Sequence, residues 1–171
     1  MIRKAALMMF MAVVVLAVAI LAVMVLGLER VWSLFGQPDL GPVTFETLQR
    51  RITPNDALAC PEDLCRAHSD VTPPVYAVGA DRLRQAMAEV LASEPDVTQV
   101  EAAALTARYI QRTRWMRFPD TIVLRYVPLG ADRSTLALYS RSQLGSGDMG
   151  VNKARVMRWL DKLSRKVAVA G

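Results

Sequence analysis

Histidine is almost missing from this sequence: the 171 residues hold one, His68, and only two cysteines, Cys60 and Cys65. A closed structural zinc site typically takes four Cys or His ligands, and three such residues are too few. The same scarcity removes the usual nucleophile–base pairs. No Ser–His, Cys–His or paired-carboxylate arrangement stands in a recognisable context, and His68 reads as a loop residue. No catalytic residue, metal or cofactor is therefore assigned. Strong charge is missing too. The net charge is +5, and Arg3 and Lys4 supply two of those units, leaving three for the rest of the chain. A nucleic-acid-binding surface needs a dense basic face, so no nucleic-acid partner is expected.

What the sequence does have is one long apolar run. Ala5 to Leu28 is 24 residues without a charge. As a helix at about 1.5 Å per residue it reaches roughly 36 Å, enough for a hydrocarbon core of about 30 Å. Arg3 and Lys4 precede it, Glu29 and Arg30 follow, and Trp32 and Phe35 sit where aromatics favour the headgroup layer. Basic residues stay on the cytoplasmic side. The expectation is a single pass through a bacterial inner membrane, with the N-terminus cytoplasmic and the remainder periplasmic. Cleavage at Ala17-Val18-Ala19 would leave Ile20 to Leu28 as an apolar new terminus. Signal peptides also carry shorter cores of about 7–15 residues, so the run reads as a retained anchor. No cysteine lies near it to be acylated.

The organisation expected is a stub and anchor over 1–32, a tether over 33–52 and a globular domain over 53–171. Gly36, Pro38, Gly41 and Pro42 mark the tether. A short turn of structure falls at Phe45 to Arg51. Thr53 to Pro74 reads as a long loop with four prolines, and loops that long need fixing. Cys60 and Cys65 can supply this as a disulfide in an oxidising compartment. Ala80 to Ser93 has Leu83, Met87, Val90 and Leu91 on one helical face. Val100 to Arg114 alternates as one strand, although the Ala102-Ala103-Ala104 run is weak strand material. Thr121–Val127 and Thr135–Ser140 form a hairpin about the Pro128 to Asp132 turn. Val151 to Lys166 is an amphipathic helix expected to dock through Met157, Leu160 and Leu163. The fold class is α+β: an antiparallel sheet of about three strands with two helices packed on it. Arg108, Arg112 and Arg114, with Arg117 and Arg125 near them, would lie on a solvated outer sheet face, where a basic stripe meets headgroups or acidic partners.

Between the hairpin and the last helix runs Ser140-Arg-Ser-Gln-Leu-Gly-Ser-Gly-Asp-Met-Gly-Val-Asn-Lys153. This resembles the signature of the domain of unknown function 1499 family, in which Arg-Ser-Ala-Ser-Arg-x-Gly is followed by Ser-Asp-x-Gly-Val-Asn-Arg. Ser140, Ser142, Gly145, Asp148, Gly150, Val151 and Asn152 match, and Arg155 fits a basic position of the family. The resemblance covers about Pro54 to Leu163. The chain departs from it at Tyr139 and Gln143, which replace arginines, at Gly147 for serine, Lys153 for arginine and Pro119 for an acid. The family has no established activity, so the resemblance implies a fold and leaves the chemistry open.

Physically, a glycine-rich turn running into a helix can present backbone N–H groups to an anion. It can equally be a structural cap, with the Asp148 carboxylate taking those N–H groups and Gly150 permitting tight packing. The cap is the preferred reading. Ser140, Ser142, Asp148, Gly150, Asn152 and Arg155 remain the candidate binding residues. The functional expectation is a membrane-anchored, noncatalytic periplasmic module, an accessory or partner-binding protein of the envelope. Its partners would be the bilayer, through Ala5 to Leu28, and another membrane protein. The alternative is a ligand-binding or hydrolytic domain using the Ser140/Ser142/Asp148/Asn152 turn.

Overall fold

The computed structural model describes residues 2–171 and divides into two units, the first ending at Gln37 and the second running from Pro38 to Gly171. In the first unit, helix α1 spans Ile2–Leu26, and its stretch Arg3–Leu26 is long and apolar enough to cross a membrane. It stops two residues short of the expected Leu28. Gly27 takes a left-handed φ of 75°, and a separate short helix, α2, runs over Leu28–Ser33. Glycine adopts such a φ at no steric cost, which makes it the natural break.

The second unit is α+β, with a five-stranded antiparallel sheet rather than about three strands. Its elements are a 3₁₀ turn at Phe45–Thr47, β1 (Asp56–Ala59), α3 (Ala80–Ala92), β2 (Val97–Ala102), β3 (Thr106–Arg112), β4 (Pro119–Pro128), β5 (Ser134–Ser142) and α4 (Val151–Ser164). The strand order is β1-β5-β4-β3-β2. Two strands were hidden in the sequence. β1 is four residues inside the expected Thr53–Pro74 loop, paired with the far end of β5 from Asp56↔Arg141 to Ala59↔Leu138. The stretch expected as one strand, Val100 to Arg114, is a hairpin of β2 and β3 that turns through Ala103 to Leu105. β2 is an exposed edge, so it carries no inward alternation to read.

β4 and β5 have the period-two pattern of a sheet covered on both faces. Ile122, Leu124, Tyr126, Leu136 and Leu138 face one core with α3 and α4. Val123, Ala137 and Tyr139 face a second, smaller core with Leu58 and Phe45. Helix α3 buries Leu83, Met87, Val90 and Leu91, as its spacing predicts. Helix α4 docks through Val156, Trp159, Leu160 and Leu163; Met157 is exposed, correcting the expected face.

The second core changes the reading of residues 38–52, which were expected to be tether. The Leu40 N–H donates to Thr121 Oγ1 at 2.9 Å, Arg141 donates to the Leu40 and Gly41 carbonyls, and Phe45 is fully buried. This strap and the Cys60–Cys65 disulfide loop lie over the sheet's back face, with Leu64 and Cys65 packed against the second core. The basic stripe is corrected with it. Arg108 is paired with Asp39 and Glu101, Arg125 with Glu46, and Arg114 lies beyond the end of β3.

Candidate functional site

The helix-facing column of the sheet changes character at one end. Along β5 it runs Leu136, Leu138, Ser140, Ser142; along β3, Ala107, Tyr109, Gln111; and on β4 it ends at Asp120. Register brings these polar ends together, since Asp120 pairs with Ser142, Ile122 with Ser140 and Gln111 with Asp120. Asn152 and Arg155, three apart on the first turns of α4, share a helix face and point into this polar end.

The result is a closed network. Arg155 donates from Nη2 to Asp120 Oδ2 at 2.5 Å, from Nε to Gln111 Oε1 at 2.5 Å, and from Nη1 to Ser140 Oγ at 2.8 Å and Asn152 Oδ1 at 2.7 Å. The Ser140 hydroxyl donates to Asn152 Oδ1 at 2.6 Å. Asn152 Nδ2 reaches Ser142 Oγ, Asp148 Oδ2 and the Asn55 carbonyl at 2.9, 2.7 and 3.2 Å. Asn55, just before β1, joins the end of β5 and the loop after it by donating to the Gly145 carbonyl and accepting from the Ser142 N–H. Every one of these residues except Asp148 and Gly145 is buried. A buried charge left unpaired is strongly unfavourable, so Arg155 and Asp120 depend on each other.

The loop from Gln143 to Gly150 closes over this network. Asp148 is the expected cap: Oδ1 accepts from the Gly150 N–H at 2.9 Å and Oδ2 from the Asn152 N–H at 2.8 Å. Gly150 serves a different purpose from the expected one. A Cβ there would meet nothing within 4 Å, but its φ of +79° is left-handed, so the turn needs glycine for its backbone rather than for close packing. Of the departures from the family pattern, Tyr139 points to the back face. There its hydroxyl donates to Asp56 Oδ2, and Arg50 pairs with the same carboxylate. Burial and that hydrogen bond push the Tyr139 phenol well above its ordinary value.

All six candidate residues thus meet in one place. Sequence reasoning missed three of their partners: Gln111, Asp120 and Asn55. Gln111 had a signal, since the alternation that buries Ala107 and Tyr109 carries it inward. Chemically, the arrangement is saturated at Ser140 and Asn152. Ser140 is fully buried with both roles of its hydroxyl engaged, and His68 is exposed three residues beyond the disulfide. Among the described residues no group of three or more His, Cys, Asp or Glu is placed to hold a metal ion. A cavity of about 260 Å³ does adjoin the network, lined by Asp120, Ser142 and Asp148 on one side and Phe118, Leu144 and Met149 on another.

A two-faced sheet carrying two helices on one side, with a buried Ser–Asn–Arg–Asp network at the start of the last helix, defines a structural class rather than an enzyme type. The family model described as "Protein of unknown function (DUF1499)" matches residues 42–163, and the chain belongs to that family. No curated protein matches it.

Proposed function

We propose that this protein is a single-pass, membrane-anchored module of the bacterial envelope, with its N-terminus cytoplasmic and its domain periplasmic, serving noncatalytically as an accessory or partner-binding component. The observation that carries the noncatalytic reading is the saturation of Ser140 and Asn152 within the motif. Ser140, Asn152 and Arg155 are buried and bonded to one another, so they are consumed in holding α4 to the sheet. A nucleophile needs a base within hydrogen-bond reach and access to substrate; Ser140 has neither. The apolar helix Arg3–Leu26 supports the anchor. The charges around it support the orientation. The Cys60–Cys65 bridge is in keeping with an oxidising compartment.

A second reading, a ligand-binding or hydrolytic turn, is favoured by the cavity beside Ser142 and Asp148. Rescue of a deletion strain separates the two. Ser142→Ala should restore the phenotype to the wild-type level, because only one hydrogen-bond acceptor of the network is lost. A folded Ser142→Ala protein that fails to rescue would establish the second reading in its place.

A further inference from the structure

The end of the sheet that carries the polar network also carries an exposed apolar tip. The β3–β4 loop holds Arg114, Trp115 and Met116, and the β5–α4 loop holds Met149. Trp115 is 80% exposed and Met149 105%, with Met116 and Val151 near half exposed. The two loops are neighbours, since Thr113 and Phe118 line the same cavity as Leu144, Met149 and Val151. Large apolar side chains gathered this way in water mark a surface that is meant to be covered.

What covers it follows from charge. Arg114 carries its guanidinium 5.4 Å from the Trp115 ring centroid, and Lys153 is exposed on the first turn of α4. A cleft of about 310 Å³ opens alongside, lined by Arg112, Arg114 and Asp96 together with Arg155 and Arg158, which are paired with Asp120 and Glu94. The acids at this end are all occupied: Asp120 by Arg155, Asp96 by Arg117, and Asp148 in the helix cap. The tip is thus apolar with a cationic rim, the composition that suits a bilayer interface bearing anionic headgroups. The chain also enters the domain at this end, because the Pro38 carbonyl and the Leu40 N–H are bonded to Thr121, next to Asp120.

We propose that Trp115, Met116 and Met149, with Arg114 and Lys153 around them, dock the domain onto the surface of an anionic bilayer. This rests on the membrane-anchored reading. The test uses the full chain reconstituted in phosphatidylcholine vesicles with or without phosphatidylglycerol, with dibrominated phosphatidylcholine as the quencher. The protein has three tryptophans: Trp32 near the anchor, Trp115 at the tip and Trp159 in the core. In a Trp32→Phe background, bromolipid should quench emission, phosphatidylglycerol should deepen the loss, and Trp115→Phe should abolish it. Arg114→Glu with Lys153→Glu should remove the phosphatidylglycerol-dependent part. Because Trp115 and these two cations are exposed, unchanged melting serves as the folding control. The proposal is overturned if Trp115 stays unquenched by bromolipid in both vesicle types. Quenching by aqueous acrylamide would then place it in water, while shielding from both quenchers would indicate a protein partner or a second copy. Failure of the anchor itself reads differently: in the Trp115→Phe protein Trp32 would escape bromolipid, and both readings would fall.

Discussion

Asn152 is the residue on which the most contacts converge. Its side chain links the Ser140 and Ser142 hydroxyls, the Asp148 carboxylate, the Asn55 carbonyl and the Arg155 guanidinium. Asn152→Ala leaves several of these buried groups short of a partner, and each such group costs about 1–3 kcal/mol. We expect a loss of about 2–4 kcal/mol, seen as a melting temperature lower by many degrees. Asp148 is half-buried and caps from outside, so Asp148→Ala should cost only about 1 kcal/mol. Thermal melts of the full chain in detergent check both. Two variants that melt like wild type while abolishing a phenotype would make the turn a functional site. At this scale the sequence was legible where chemistry is local: Asp148 sits next to the helix it caps, and Cys60 lies five residues from Cys65. Asp120, thirty-five residues from Arg155, was not legible, because only strand register brings them together.

Among the elements, α3 and α4 were readable from their apolar spacing, and the hairpin of β4 and β5 from its alternation. β1 and β2 were not: one is four residues long among prolines and the other an exposed edge, and neither shows a pattern. The strap over the back face was obscured by Gly36, Pro38, Gly41 and Pro42, which mark flexible chain equally well. One tie between elements has a pH signature. Glu94, just past α3, is buried and accepts from Arg158 at 2.9 Å and Lys162 at 2.5 Å on α4. Burial pushes its carboxyl up, but the bonds from Arg158 and Lys162 outweigh this and hold it down at about 2, against an ordinary 4.5. A carboxyl depressed on folding stabilises the protein fully above its unfolded pKa and loses that contribution as pH falls through its folded value. Glu94→Gln should therefore destabilise by about 2–3 kcal/mol at neutral pH, the half-exposed cations being partly screened. The difference in melting temperature should close between about pH 4.5 and pH 2. A gap that stays constant across that range would show that the carboxylate's charge does not join the two helices.

For the whole molecule, two features support the same reading: an apolar helix that carries Arg3 and Lys4 in its first turn, and a disulfide in the domain. Each follows from short-range signals in the sequence, which is why location was easier to reason about than activity. The domain's position outside the cytoplasm is the central claim, since the compartment of the disulfide and the face of the membrane that the apolar tip meets both depend on it. Alkaline phosphatase fused after Gly171 tests it most directly in a bacterial host. The account predicts an active phosphatase. A silent phosphatase, with an active cytoplasmic reporter fused at the same residue, would contradict it.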